Sequence, residues 1–245
     1  MNTEIRFGKP NYYDYSTLLD QFSGTKINSI KTSSIPLVQF WQNTDIRLNE
    51  LLKTLALTSD NVKLCFEYPT PSDGKGKSSM TDLMIICDDT IKIAIEAKFT
   101  EYLKNNFKNE TINKWLSIKN TDNRKIVLAH WTELIEPFSN KLGKSLIQDI
   151  NYQFYHRTAS ACFNSNKAVV LYQVFKEVDS ENDFQNYIAS LKDNVIKINP
   201  NNKLSFYVWE IETKLKVDPT NIRDPFTEIK FRDIYEFGKT NIIKL

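Results

Sequence analysis

The nine residues Ile91 to Phe99 (Ile-Lys-Ile-Ala-Ile-Glu-Ala-Lys-Phe) constrain this chain more than any other segment. Apolar residues at Ile91, Ile93, Ile95, Ala97 and Phe99 alternate with Lys92, Ala94, Glu96 and Lys98, the period of two that belongs to a β-strand. A carboxylate and an ammonium group therefore share one face of that strand, two residues apart. Immediately upstream, Met80 to Cys87 reads as another strand with Asp82 near its start, joined to the first by Asp88-Asp89-Thr90. If Cys87 pairs with Ile91 across a three-residue loop, paired residue numbers keep a constant sum, and Asp82 falls opposite Glu96 on the same face. A two-residue loop would set Asp82 against Ile95 and turn it away. A catalytic reading of these residues thus requires an odd loop or a bulge.

Two carboxylates facing each other at ~5 Å are costly unless a cation neutralises them. A divalent ion would do so, with the Ala97 carbonyl available as a further oxygen ligand. Lys98 beside it would orient or activate a water and offset charge developing on a phosphate. This combination suits phosphodiester hydrolysis. A surface hairpin carrying an Asp and a Glu–Lys pair, with no metal, is the alternative that the pattern leaves open. The tripeptide E-x-K is uninformative by itself, since it recurs at Glu212-Thr213-Lys214 and Glu228-Ile229-Lys230. Those copies lack a strand-borne acid at a matching distance upstream, and the first of them reads as solvated.

Around this pair the periodicities predict a helix from Leu37 to Leu57, with Pro36 in its first turn, and a strand from Val62 to Tyr68. After them come a helix over Ser145–Phe163, a strand over Ala168–Phe175, a helix capped by Ser180, and a strand over Leu204–Ile211. Residues 1–33 read as irregular, and the tail after Pro219 is ambiguous. Helices alternating with strands indicate an α/β layer architecture. The loop Pro71-Ser72-Asp73-Gly74-Lys75-Gly76-Lys77-Ser78 is no phosphate-binding Walker loop. Proline stands where glycine is needed, and a strand rather than a helix follows. A loop touching a nucleic-acid backbone through Lys75 and Lys77 is the more modest reading.

With 245 residues, 41% of them hydrophobic, the chain can bury one sizeable core. No apolar run approaches the ~20 residues of a membrane span, and the N-terminus has no apolar stretch of secretory type. The expectation is a cytoplasmic protein without a membrane partner. Cys65, Cys87 and Cys162 are odd in number and scattered, so they read as reduced core residues. With only His130 and His156 besides, any metal falls to carboxylates, which favours a hard cation such as Mg²⁺. Net charge is +2, too small to announce nucleic acid. Lys104, Lys108, Lys114, Lys119, Arg124 and Lys125, interleaved with Phe107 and Trp115, form either a phosphate-lining stretch or a solvated helix face.

The stretch Met80-Thr81-Asp82-Leu83-Met84-Ile85-Ile86, followed by Ile93-Ala94-Ile95-Glu96-Ala97-Lys98-Phe99-Thr100-Glu101, resembles the motif core of the PD-(D/E)xK superfamily. It is most similar to restriction endonucleases with an EAKFTE-like strand end. The resemblance implies a restriction-endonuclease-like core of helix, three-strand meander, helix and strand, in a central mixed sheet flanked by helices. It spans residues 34–176 with an insertion at 102–144, between an irregular segment (1–33) and an extension of the same domain (177–245). Asp82 is preceded by Thr81 instead of proline, a common variation in the superfamily. By resemblance, Asp82 and Glu96 are metal ligands and Lys98 the water-orienting cation. A further acid comes from Glu67 or Glu50, and a polar residue from the second helix, Gln153 first and His156 or Arg157 next. The implied activity is Mg²⁺-dependent DNA endonuclease cleavage, with Mn²⁺ able to substitute, in a type II-like restriction or other defence enzyme. Lys75, Lys77, Lys104 and Lys108 would meet the DNA. Cutting both strands calls for two active sites and hence a homodimer. A repair, recombination or messenger-activated nuclease, or an inactive nucleic-acid-binding relative, would use the same scaffold. The role of residues 177–245 is open between DNA recognition, dimerisation and extension of the sheet.

Overall fold

The computed structural model describes residues 1–8, 15–22, 27, 29–76, 78–103, 111–118, 121–177 and 179–245. Seven strands lie in one mixed sheet in chain order: β1 (Asn2–Phe7), β2 (Asn61–Thr70), β3 (Ser79–Cys87), β4 (Ile91–Lys98), β5 (Lys167–Lys176), β6 (Leu204–Leu215) and β7 (Tyr235–Lys244). The pairs β2–β3, β3–β4 and β6–β7 are antiparallel, whereas β1–β2, β4–β5 and β5–β6 are parallel. Every residue of β5 after Lys167 is buried, as expected of a strand covered on both faces.

Strand alternation sorts the core into two clusters. Leu83, Ile85, Ile93, Ile95, Ala97, Leu171 and Trp209 pack against α1 (Tyr15–Gln21), α2 (Ser34–Phe40) and α3 (Thr44–Thr54). Met84, Ala94, Val170, Tyr172 and Val208 pack against α4 (Ile112–Ser117), α5 (Thr121–Ile135), α7 (Tyr152–Cys162) and α8 (Glu181–Ile198). The short α6 (Lys144–Ile147) lies between α5 and α7, and α9 (Pro225–Phe231) precedes β7. The fold is therefore α/β, a seven-stranded mixed sheet with helices on both faces. Cys65, Cys87 and Cys162 are buried free thiols.

Several boundaries differ from those the sequence predicts, each for a tertiary reason. Residues 1–33 are not irregular: β1 takes its extended form from parallel pairing with β2, from Asn2↔Asn61 to Phe7↔Phe66, a partner distant in sequence. The first long helix is interrupted by a 3₁₀ turn at Trp41–Asn43, where Trp41 is fully buried and its Nε1 donates to Gln173 Oε1 at 3.1 Å. The helix expected over Ser145–Phe163 breaks because its middle pairs with the insertion. Ile112 N donates to Ile150 O at 2.9 Å and Asn113 N to Gln148 O at 3.0 Å, and Asn151 then caps α7 through Phe154 N at 3.1 Å. The Ser180 hydroxyl makes no cap bond to its helix; it donates to Glu177 O at 2.7 Å and meets Tyr102 Oη at 2.7 Å.

Residues 177–245 extend the sheet. Gln39 of α2 fastens the last strand, accepting from Ile234 N and Tyr235 N, both at 3.0 Å, and donating to Tyr235 O at 2.5 Å. Among the described residues no helix is long and apolar enough to cross a membrane.

Candidate active site

The β3–β4 hairpin closes as the catalytic reading requires. Cys87 pairs with Ile91 across Asp88-Asp89-Thr90, and Thr90 N donates to Cys87 O at 3.1 Å. Asp88 and Asp89 supply left-handed φ values of 46° and 59°, a conformation that Asp tolerates better than most residues. The ladder runs back to Leu83↔Ile95 and stops there. One step further, where Asp82 and Glu96 would pair, the strands part. Asp82 fills the fork with its side chain, and Oδ2 accepts from Ala97 N at 2.9 Å. An extended residue projects its N–H and C=O toward the same edge, so the Ala97 carbonyl also faces the fork.

Glu96 and Lys98 lie on the face covered by α7 and are nearly buried, 5% and 9% exposed. Lys98 Nζ donates to Glu96 Oε1 at 2.9 Å and to Gln153 Oε1 at 3.0 Å. Arg157, one turn beyond Gln153 on α7, forms an ion pair with Glu96 Oε2 and donates to the Met80 carbonyl. Two acids and two cations are thus packed together, Glu96, Lys98 and Arg157 buried and Asp82 half-buried.

Their ionisation follows from burial and partners. Burial, and then the Glu96 charge, push the Asp82 carboxyl up to about 7, outweighing Arg157 and the Ala97 N–H. Burial acts the same way on Glu96, but Arg157 and Lys98 overcome it and pull that carboxyl down to about 2. Burial disfavours the Lys98 ammonium, yet Glu96 and Glu101 raise it above its ordinary value. Lys98 is therefore held in its charged form. Burial, then Arg157, hold His156 down at about 3, so its imidazole is neutral.

The donor set fits a divalent cation in kind: two carboxylates and a backbone carbonyl at one fork. It carries one tension. Glu96 presents one oxygen to Lys98 and the other to Arg157, so a cation there would share Glu96 with Arg157 or displace it. Asp82 accepts from a backbone N–H instead of a cation.

The family model for DUF6946, a domain of unknown function, matches residues 13–215. The chain belongs to the DUF6946 family. No curated protein and no solved structure matches it.

In this DUF6946 chain Asp82, Glu96, Lys98, Gln153 and Arg157 come together, and His156 lies beside them. Glu67 sits across the β2–β3 ladder from Asp82, between the pairs Phe66↔Leu83 and Tyr68↔Thr81. It is buried, 6% exposed, with a left-handed φ of 49°, an unfavourable conformation of the kind that gathers at functional sites. Glu50 is not part of this group. It lies on α3, whose buried leucines pack on the other face of the sheet, and its carboxylate meets Arg47 at 3.4 Å and the Thr240 hydroxyl. Lys75 is exposed on the β2–β3 loop, its backbone bound by Asn123 at 2.6 and 2.9 Å. Lys77, Lys104, Phe107, Lys108 and Lys119 fall outside the described residues. Glu212 and Lys214 are exposed on β6, as a solvated pair should be.

Two features are not legible in the sequence pattern. The Arg157–Glu96 ion pair joins residues far apart in the chain; the i, i+4 spacing of Gln153 and Arg157 is the one signal that points to it. The second is a group of three ligand-type side chains, Asp73, His130 and Glu133, whose ligand atoms lie within 4.8 Å of one another. His130 Nδ1 is 3.0 Å from Asp73 Oδ2. His130 and Glu133 are three apart on α5, and only folding brings Asp73 to them.

Proposed function

We propose that this protein is a metal-dependent nuclease that hydrolyses phosphodiester bonds of DNA on a restriction-endonuclease-like core. The observation that carries the reading is the fork between β3 and β4, where Asp82 accepts from Ala97 N and Glu96, the preceding residue, is bound by the Lys98 ammonium. The order α3, β2–β3–β4, α7, β5 agrees with the core that the motif resemblance implies. A Mg²⁺ ion bound by Asp82, Glu96 and the Ala97 carbonyl would supply Lewis-acid stabilisation and a water of lowered pKa. Lys98, held by Glu96 and Gln153, orients the attacking water and offsets charge that builds on the phosphate oxygens. Arg157 holds Glu96 in place and, if displaced, becomes a second cation for the phosphate. A type II-like restriction or other defence role, acting as a homodimer on both strands, is the finer form of this reading.

One observation favours a second reading. Arg157 already neutralises Glu96, so the site can stand without a metal, as it would in an inactive nucleic-acid-binding relative. Incubation of supercoiled plasmid with the purified protein separates the two. The nuclease reading expects cutting in Mg²⁺, none in EDTA, and none with Lys98→Ala. Cutting that survives both EDTA and Lys98→Ala refutes the mechanism, and DNA binding with no cutting in Mg²⁺ or Mn²⁺ favours the inactive relative.

A further inference from the structure

Beside the acidic fork, α5, α7, the end of α4 and the loop between β2 and β3 border an open cavity of about 360 Å³, within the range of small-ligand sites. Trp115, Trp131, Tyr152 and His156 line it, with Lys75 and Arg124. The rings are arranged unlike those on the other face of the sheet. There, aromatic neighbours such as Phe40–Trp209 and Trp41–Trp209 meet edge to face at 88° and 90°. Here the planes are close to parallel: Trp115–Tyr152 at 4° and 6.1 Å, Trp115–Trp131 at 27° and 5.4 Å, Trp131–His156 at 26° and 5.2 Å. Arg124 lies 5.1 Å over the Trp115 ring and donates to the Trp115 carbonyl.

Three further facts mark this as more than packing. Trp115, Tyr152 and His156 are only partly buried, so aromatic surface is left for a ligand. Both ring nitrogens of His156 are shut off from solvent and have no hydrogen-bond partner among the described residues, so the wall is held by ring contact and not by a polar bond. The far wall is fastened, since Asn123 exchanges two hydrogen bonds with the Lys75 backbone and Asp73 is paired with His130.

The cavity and the fork share one helix. Tyr152 and His156 alternate along α7 with Gln153 and Arg157, and the charges of Glu96 and Arg157 both act on His156. Stacked, partly exposed rings and two cations next to a phosphate-type site suit a nucleotide. Flat faces serve any base, which is the sequence-tolerant mode of single-strand recognition, and a paired base could not enter without leaving its stack. We propose that this cavity receives one unpaired nucleobase of the strand whose phosphate lies at the acidic fork. The proposal rests on the nuclease reading for the position of that phosphate, and it requires the base beside the cut to be turned out of its duplex or already unpaired.

The test uses wild-type protein in EDTA, with fluorescence anisotropy of two short labelled strands: oligothymidylate and a fully abasic chain with the same number of phosphates. The base-bearing strand should bind more tightly by roughly 5- to 150-fold, the range for one stacked base. Trp115→Leu should remove that difference while the abasic chain binds as before. Equal affinity of the two strands for the wild type overturns the proposal, and this comparison needs no variant to fold. The plasmid assay keeps the two readings apart. Base discrimination without metal-dependent cutting retains the cavity and discards the nuclease; cutting without discrimination does the reverse.

Discussion

Asp82 offers a direct measure of what the fork costs the fold. Its carboxyl is raised from 3.8 to about 7, mainly by burial and then by the Glu96 charge. A carboxylate whose folded pKa lies above its unfolded value favours folding only while protonated. As pH rises from 3.8 to 7, the unfolded chain ionises Asp82 while the folded chain resists, so stability falls. The loss is complete above about 7. About three pKa units at 1.36 kcal/mol each give about 4 kcal/mol. Asp82→Asn removes the charge and keeps an oxygen to accept from Ala97 N. Without metal, the variant should match the wild type near pH 4 and exceed its stability by about 4 kcal/mol at pH 8.5. Urea denaturation in EDTA across this range provides the curve, and subtracting the two proteins cancels the titrating groups that Asp82 does not touch. Saturating Mg²⁺ should narrow the gap from the wild-type side alone, by about 2.7 kcal/mol at a hundredfold excess over Kd. A variant that is less stable than the wild type at pH 8.5 in EDTA would show that the fork does not disfavour the Asp82 charge, and the reasoning would fail.

Glu96 has the opposite sign: held down at about 2 by Arg157 and Lys98 against burial, it contributes stability above 4.5 that is lost as pH falls. Glu96→Gln should therefore cost about 3 kcal/mol at pH 6 and progressively less below pH 4.5, read by urea unfolding; a penalty independent of pH contradicts this. Arg157→Leu leaves Glu96 buried with one cation and should destabilise by about 3 kcal/mol, with a calorimetric Tm lowered by several degrees; an unchanged Tm would show that Lys98 suffices. Glu50→Gln should leave plasmid cutting unaltered and cost at most about 1 kcal/mol. A large loss of cutting with the fold intact would return Glu50 to the site.

Legibility in the sequence depends on how local the cause is. The face shared by Glu96 and Lys98 follows from strand alternation, so the order of residues alone carries it; the placement of Asp82 near Glu96 depends on the loop length, which the Cys87↔Ile91 pair decides. The break in the helix expected over Ser145–Phe163 is not carried that way. It exists because Gln148 and Ile150 give their carbonyls to Asn113 and Ile112, and backbone pairing across an insertion leaves no periodicity. For the same reason the residues of β1 look irregular in sequence and Glu50 looks eligible for the fork: one needs a remote parallel partner, and the other belongs to a helix on the opposite face.

By itself the sequence determined the α/β alternation and the face that Glu96 shares with Lys98, since each depends on residues within one or two turns or strands; the hairpin register and the burial of the acid came from the fold. Only the tertiary structure decided which cations answer which acid. Arg157 pairs with Glu96 and Gln153 binds Lys98, while Asp82 receives a backbone N–H. The ionisation of a buried group depends on what packs around it in three dimensions. That is why two carboxylates fourteen residues apart, of nearly equal intrinsic acidity, end on opposite sides of their ordinary values.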